Sequence, residues 1–146
     1  MKIGLPRLTE EDPFILFDKW FALASKREFS DPNAISLSTT DSSGFPNVRI
    51  VLMKKFNHDG LIFFSNSTSA KGREIESNSK IAACFYWKSL GRQVRLRGGV
   101  KKIPKAESDR YFSTRDRKSQ IGAWASLQSK KLQKREDLEK RYNEIS

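Results

Sequence analysis

The stretch AISLSTTDSSGFPNVRIVLMKKFNHDGLIFFS, residues 34–65, decides the fold. It contains three short runs rich in β-branched and aromatic residues, a composition typical of strands. The two breaks between them, Asp41-Ser-Ser-Gly44 and Asn57-His-Asp-Gly60, carry residues that favour tight turns. The stretch therefore predicts a meander of three strands, over residues 34–40, 48–56 and 61–65.

A helix precedes this meander. From Phe14 to Ala24 the apolar residues recur at intervals of three and four, which is the spacing of one face of an α-helix. Pro13 suits the first turn of a helix, because an N–H at that position has no intrahelical partner. The sequence predicts an amphipathic helix from Asp12 onward.

Four helices and two further strands follow. Residues 69–77 predict a short helix capped by Ser69, and 81–87 and 93–102 predict strands on either side of the turn Ser89-Leu-Gly91. Five strands joined by short links predict a small antiparallel barrel, so the expected fold class is mainly β with flanking helices. The remaining helices are predicted over residues 104–111, 119–126 and 130–142.

Length and composition favour a single compact domain over residues 1–146, with residues 1–11 expected to be flexible. No run approaches the roughly 20 apolar residues that a bilayer crossing needs. The first residues also lack the apolar segment of a secretory signal. The single cysteine, Cys84, excludes an internal disulfide and points to a reducing compartment, so a cytoplasmic location is expected.

The charge balance points to an anionic partner. The chain has 28 Lys and Arg against 17 Asp and Glu, a formal net charge of +11. Residues 88–105 alone contain seven basic side chains and no acidic one. A generic solvated surface accounts for this surplus equally well, and basic residues interleaved with aromatic ones also fit an RNA-binding barrel.

The residue inventory argues against nucleophilic and metal chemistry. The only histidine, His58, lies in a turn, and Cys84 lies in an apolar strand, so both are interpreted as structural. A hydrolase needs a base beside an activated nucleophile, and a zinc site needs three or four suitable ligands. If the chain is an enzyme, a cofactor is expected to carry the chemistry while side chains bind and orient.

Hydrogen-bond donors on strands and at one helix start are the candidate binding groups. A helix N-terminus with a nearby lysine favours a phosphate, although each such residue taken alone is more often a solvated surface charge. Alternation along the fifth strand places Gln93, Arg95 and Arg97 on one face. The other donors are Arg49, Lys54, Ser65, Ser69 and Lys71.

Three segments together resemble the pyridoxine (pyridoxamine) 5'-phosphate oxidase family. They are Arg49-Ile-Val-Leu-Met-Lys54, Arg92-Gln93-Val94 and the run from Tyr111 to Ser129, whose piece Ser119-Gln-Ile-Gly-Ala-Trp124 is the most specific. Their order and spacing also match. The resemblance extends over about residues 12–130, since three shorter pieces fit it too: Asp12-Pro-Phe14, Phe63-Phe-Ser-Asn66 and Ser69-Ala-Lys71.

The resemblance implies an FMN-binding split barrel that works as a homodimer with two sites at the subunit interface. Arg49 and Lys71 would lie near the FMN phosphate and Gln93 near the flavin ring, while Gln128 and Ser129 would reach the FMN held mainly by the other subunit. The substrate phosphate would be bound by Lys54, Tyr111, Arg115 and Ser119. The implied cofactor-binding set is Arg49, Ile50, Val51, Leu52, Met53, Lys54, Phe64, Ser65, Lys71, Gln93, Gln128 and Ser129.

The implied activity is oxidation of the C4' amine or alcohol of pyridoxamine or pyridoxine 5'-phosphate to pyridoxal 5'-phosphate. Oxygen accepts the electrons by way of the flavin and leaves as hydrogen peroxide. Side chains would mainly position the substrate, so neither a catalytic residue nor a metal is assigned. Membrane binding is not expected, and nucleic-acid binding is the less favoured alternative.

Two departures from the family pattern modify this expectation. The family continues beyond the position of Ser146 into strands that carry a Trp, an Arg and an Arg-Leu-His segment near the flavin and substrate. Without a match to these strands, the alternatives are a truncated product or a flavin- or pyridoxal-phosphate-binding module without oxidase activity. The missing strands are also expected to leave an open sheet edge. The second departure is Ala70, where the family usually has Arg, and Arg73 is expected to compensate in part.

Overall fold

A five-stranded antiparallel sheet with flanking helices is the central element of the computed structural model, which describes residues 12–146. The expectation for residues 1–11 lies outside this range. The strand order is β3-β2-β1-β4-β5, so the predicted meander and fold class are confirmed. The strands are β1 (Ala34–Thr40), β2 (Pro46–Asn57), β3 (Gly60–Phe63), β4 (Lys80–Trp87) and β5 (Arg92–Gly99).

The first helix begins where local sequence signals predict it. Asp12 caps α1, accepting a hydrogen bond from the backbone N–H of Phe14 at 2.8 Å, and Pro13 occupies the first turn. Glycines with positive φ lie in the predicted turns, at Gly44, Gly60 and Gly91. The helices are α1 (Pro13–Arg27), α2 (Ala70–Ser77), α3 (Lys105–Ser113), α4 (Arg117–Ala125) and α5 (Arg135–Ile145), with a 3₁₀ turn at Lys88–Leu90.

Several predicted boundaries are wrong by two to five residues. β3 ends at Phe63 and β5 at Gly99, where the pair Gly98-Gly99 weakens strand propensity. The last helix begins at Arg135 rather than 130, because Ser129 adopts a φ of 64° and the N–H of Lys130 bonds back to the carbonyl of Leu127 at 3.0 Å. A reverse turn therefore replaces the first part of the predicted helix.

The described chain forms two compact units. The first contains residues 12–37, Arg49–Phe63 and Ala83–Leu96, and the second contains Ser38–Val48, Phe64–Ala82 and Arg97–Ser146. The expectation of a single domain stays a prediction. Within residues 12–146 no helix combines the length and apolar character needed to cross a bilayer.

Aromatic side chains form the core of the first unit. The ring of Phe17, on α1, lies 4.2 Å from that of Phe56, 5.2 Å from that of Phe85 and 5.8 Å from that of Trp87. Phe85 and Trp87 are fully buried, and the indole N–H of Trp87 donates to the carbonyl of Pro32 at 2.8 Å. Burial of these rings fixes α1 on the strands of this unit.

Candidate functional site: a buried lysine at a helix start

The start of α2 forms a compact hydrogen-bonded turn in the second unit. The Oγ of Ser69 accepts from the backbone N–H of Gly72 at 3.3 Å and donates to the carbonyl of Asn66 at 2.7 Å. Ser69 is fully buried. Because a serine cap satisfies a donor that helix geometry leaves open, it explains why α2 begins at Ala70, as predicted.

Lys71 places a buried ammonium group beside this cap. The residue is 8% exposed, and its Nζ donates to Ser69 Oγ at 3.2 Å and to Gln128 Oε1 at 2.8 Å. Burying an ammonium group is costly unless acceptors replace its water. A cation with hydroxyl and amide groups at a helix N-terminus is chemically suited to a phosphate.

Tyr111 and Phe64 form a stacked pair in the same unit. Their ring centroids lie 3.7 Å apart, and the ring planes differ by 9°. Phe64 directly follows β3, and Tyr111 lies in α3. The stack fixes the plane of the phenol ring, so the position of its hydroxyl is largely set before any ligand binds.

The connection between α3 and α4 is braced by its own side chains. Asp116 caps α4 and accepts from the backbone N–H of Ser119 at 2.9 Å. Hydrogen bonds from the hydroxyl and the backbone N–H of Ser119 lower the pKa of Asp116. Gln120 Nε2 donates to the carbonyls of Phe112 at 3.1 Å and Arg115 at 2.9 Å. Arg115, on this connection, and Ser119, in the first turn of α4, are both predicted to bind the substrate phosphate and lie four residues apart in this braced segment.

Strand β2 carries the longest predicted cofactor-binding run, and its side chains alternate between two faces. Val51 and Met53 are buried, whereas Ile50 and Leu52 are exposed. The backbone of Met53 is also occupied, since its N–H donates to the carbonyl of Asn33 at 2.9 Å and its carbonyl accepts from Asn33 Nδ2 at 2.8 Å. Any contact of Val51 with a ligand would have to come from its backbone.

Arg49 and Lys54 lie at the two ends of this run, in the first unit. Arg49 is half-buried, and its Nη1 lies 3.4 Å from the carbonyl of Leu37. Lys54 is exposed and, with Met53, borders an open groove of about 410 Å³. The groove also contacts Asp18 and Phe21 of α1.

Strand β5 shows the predicted alternation. Gln93 and Arg95 are exposed, whereas Val94 and Leu96 are half-buried. The Oε1 of Gln93 lies 3.9 Å from the Sγ of Cys84 on β4. Gln93 therefore lies on the solvent-accessible face of the first unit, where a ligand can reach its amide.

The structure brings some of the predicted residues together within each unit. In the second unit Lys71 contacts Gln128 of the same chain, and Phe64 contacts Tyr111. The predicted contact of Gln128 and Ser129 with a partner's FMN stays a prediction. Ser65 and Ser129 are exposed. The first unit contains Arg49, Ile50, Val51, Leu52, Met53, Lys54 and Gln93.

Two side chains near the buried lysine make contacts that sequence reasoning did not predict, and one of them, Glu74, was not singled out at all. Arg73, predicted only as a substitute for the missing Arg at Ala70, donates through Nη1 to the carbonyl of Thr68 in the loop before α2. Glu74, one residue further, accepts hydrogen bonds from Thr39 and Asn47. No sequence motif marks Glu74, since its partners lie 35 and 27 residues away. Among residues 12–146 no cluster of His, Cys, Asp and Glu is suited to a metal ion.

Comparison with known proteins gives the family. A family model described as pyridoxamine 5'-phosphate oxidase matches residues 23–146. The chain is 52% identical over 140 residues to the pyridoxine/pyridoxamine 5'-phosphate oxidase of Caulobacter vibrioides, covering 96% of this chain and 63% of that protein. It is 54% identical over 129 residues to the protein of the same name from Brucella canis, covering 88% of this chain and 64% of that one. The chain thus spans about 63% of the length of the Caulobacter relative.

Two solved structures share the fold. PhzG from Burkholderia lata, in complex with tetrahydrophenazine-1-carboxylic acid, aligns with a TM-score of 0.90 at 27% identity, over 99% of this chain and 73% of that one. A pyridoxamine 5'-phosphate oxidase-related, FMN-binding protein from Nostoc punctiforme aligns with a TM-score of 0.67 at 15% identity, over 89% and 72%. The chain therefore belongs to the pyridoxamine 5'-phosphate oxidase family and has the FMN-binding split-barrel fold.

Proposed function

We propose that this chain binds FMN and takes part in the oxidation of pyridoxamine or pyridoxine 5'-phosphate to pyridoxal 5'-phosphate. In this reaction O2 is reduced to H2O2. The alcohol substrate loses two hydrogens, and the amine substrate loses two hydrogens and is then hydrolysed with release of ammonia. The single observation that carries the proposal is the buried ammonium of Lys71 beside the Ser69 cap, in a chain that belongs to this family.

The donor set fits the phosphate of FMN. The dianion would be met by the Lys71 ammonium, with Ser65 as a hydroxyl donor, while Gln128 and Ser129 are proposed to reach the FMN held mainly by the other subunit. Charge-assisted hydrogen bonds of this kind are stronger than neutral ones. Arg49 and Gln93 of the first unit are proposed to bind FMN as well, together with the residues of β2 between Arg49 and Lys54.

The flavin ring, when bound, supplies the redox chemistry that no side chain of this chain can perform. The chain's own residues bind and orient. Tyr111, fixed by its stack on Phe64, and Arg115, on the braced connection before α4, would bind the substrate phosphate with Lys54 and Ser119. Holding this phosphate sets the distance of the substrate C4' carbon from the ring, and such positioning accounts for much of the rate of a cofactor reaction.

A second copy of the chain is part of the proposal. In the first unit, Ile50 is 63% exposed and Tyr86 is 67% exposed, both on strands of the sheet. In the second unit, Val48 is 71% exposed at the start of β2. Exposed apolar side chains on a sheet face favour burial against another protein surface, which supports the homodimer that the family resemblance implies. A cytoplasmic location remains part of this proposal.

Two measurements test the proposed function. The flavin absorbance of the purified protein, as isolated and after reconstitution with FMN, tests cofactor binding. Formation of pyridoxal 5'-phosphate from each of the two substrates, with H2O2 as co-product, tests turnover. A yellow protein that forms product supports the full proposal. A yellow protein without turnover supports the alternative of a binding module, and a colourless protein that cannot be reconstituted contradicts both.

A further inference from the structure

The buried polar side chains of the described residues cluster around one short helix. They are Thr39, Ser69 and Lys71, which are 1%, 0% and 8% exposed. Ser69 caps α2 and Lys71 lies in its first turn, while Thr39 of β1 is hydrogen-bonded to Glu74 in the same helix. A cluster of this kind costs desolvation free energy, so its geometry is expected to serve a purpose beyond packing.

Glu74 joins α2 to two strands of the second unit. Its Oε2 accepts a hydrogen bond from Thr39 Oγ1 on β1, and its Oε1 accepts one from Asn47 Nδ2 on β2 at 2.9 Å. Each oxygen of the Glu74 carboxylate thus accepts a hydrogen bond from a different strand. Hydrogen bonds to an ionised acceptor are roughly twice as strong as neutral ones, so this is a firm anchor.

The anchor matters because α2 is short. It has eight residues, and helices of this length are not stable in isolation, so tertiary contacts must fix its position. Lys71 precedes Glu74 by three residues, a spacing that places both on the same side of a helix. Fixing Glu74 against β1 and β2 therefore fixes the rotation of α2 and, with it, the direction in which the Lys71 side chain leaves the helix.

We infer that Glu74 is a positioning residue for the anion site formed by Lys71 and Ser69. This inference rests on the proposed function, because the anion is taken to be the phosphate of FMN. Glu74 is hydrogen-bonded to Thr39 and Asn47 and orients the site through the helix. Its removal should weaken binding of the phosphate group while leaving binding of the flavin ring system largely unchanged.

Glu76 provides a matched control on the same helix. It is an exposed glutamate, and its Oε1 pairs with Lys102 Nζ at 3.0 Å. Ion pairs between exposed side chains contribute little to stability. Replacing Glu76 by Ala removes the same charge and the same number of atoms from α2 without touching the strands.

The experiment compares dissociation constants for FMN and for riboflavin, which lacks the phosphate, measured by quenching of flavin fluorescence. The variants are Glu74→Ala, Glu74→Gln and Glu76→Ala, each studied well below its own melting temperature. For Glu74→Ala we expect the Kd for FMN to rise about tenfold and the Kd for riboflavin to change less than about threefold. Glu74→Gln can keep both contacts, so it should restore FMN binding to within about threefold of wild type. Glu76→Ala should bind both ligands as wild type does.

Other outcomes overturn the inference. It is wrong if Glu74→Ala binds FMN as wild type does, if Glu74→Gln is as impaired as Glu74→Ala, or if riboflavin binding falls in step with FMN binding. If Glu74→Ala does not fold, Asn47→Ala removes one of the two anchors, and an unchanged Kd for FMN would then overturn it. Failure of the wild-type chain to bind FMN would contradict the proposed function instead, so the two failures are distinguishable.

Discussion

The Nζ of Lys71 lies 2.8 Å from the Oε1 of Gln128, a residue 57 positions later in the chain. The contact joins the start of α2 to the connection between α4 and α5. The family resemblance assigns Gln128 to the FMN held mainly by the other subunit, whereas here it contacts Lys71 of its own chain. Gln128 already occupies one hydrogen-bonding position of the ammonium, so a phosphate that binds there must share the ammonium with Gln128 or displace it.

Replacing Lys71 by Ala should weaken FMN binding without an equal effect on the substrate. A phosphate that loses a buried cationic donor is expected to lose about 1.5 to 3 kcal/mol of binding free energy. Arg115→Ala should instead raise the KM for pyridoxamine 5'-phosphate and leave the bound flavin unchanged. Flavin content after gel filtration and steady-state kinetics check both. Equal losses of flavin in the two variants would contradict the assignment of separate phosphate sites.

A carboxylate at position 128 should reduce FMN affinity. In Gln128→Glu the new negative charge lies within ion-pairing distance of Lys71, so it neutralises the cation and repels a phosphate. We expect the Kd for FMN to rise by about tenfold or more, with a smaller increase at high salt because the repulsion is screened. Gln133→Glu is the control, since it makes the same charge change at an exposed position of the same connection. Similar effects of both changes would show that the net charge, rather than the contact with Lys71, matters.

Two variants at the Phe64–Tyr111 stack distinguish the contribution of ring packing from that of the Tyr111 hydroxyl. Tyr111→Phe keeps the stacked ring and removes only the hydroxyl, so it should raise the KM for the phosphorylated substrate several-fold with little change in melting temperature. Phe64→Ala removes the stacking partner, an interaction worth about 0.5 to 1.5 kcal/mol beyond burial, and should lower the melting temperature as well. Thermal melts and substrate titrations distinguish the two. A Tyr111→Phe variant with wild-type KM would remove Tyr111 from the proposed substrate site.

The cap of α4 should give a pH dependence in acid. The pKa of Asp116 lies below its ordinary value of 3.8, mainly because the Ser119 hydroxyl and backbone N–H bind the ionised carboxylate. A lowered pKa in the folded state means that the cap stabilises the protein above about pH 4 and that this contribution disappears as the pH falls through the folded pKa. The melting temperature of Asp116→Asn should therefore differ from that of wild type at pH 6 and converge with it as the pH falls through the lowered pKa of the folded state. A constant difference over this range would contradict the role of Asp116.

Local chemistry was enough to predict most elements of the fold. The strand Ala34–Thr40, the helix from Asp12 onward and the cap Ser69 follow from local sequence patterns, and the structure confirms them. Val51 and Met53 on β2 are buried, which no prediction from the sequence anticipated. The resemblance implies the whole run of residues 49–54 as cofactor-binding, because a family motif marks positions without distinguishing side-chain contacts from backbone contacts.

Long-range contacts could not be predicted in this way. The Lys71–Gln128 contact and the bonds of Glu74 to Thr39 and Asn47 depend on how α2 packs, and no sequence spacing encodes that. The early end of β5 and the late start of α5 arise from weak signals, a pair of glycines and a serine with positive φ. The turn at Ser129 in particular could not be predicted from the sequence, because serine rarely adopts a positive φ.

The contact between Cys84 and Gln93 has a practical consequence for following ligand binding. The chain has one sulfhydryl, half-buried and 3.9 Å from the amide oxygen of Gln93. A small thiol-reactive label attached there would lie at one defined position without any engineered mutation. Its attachment rate and its spectrum would report on whether the neighbouring strand face becomes covered when a ligand or a second copy binds.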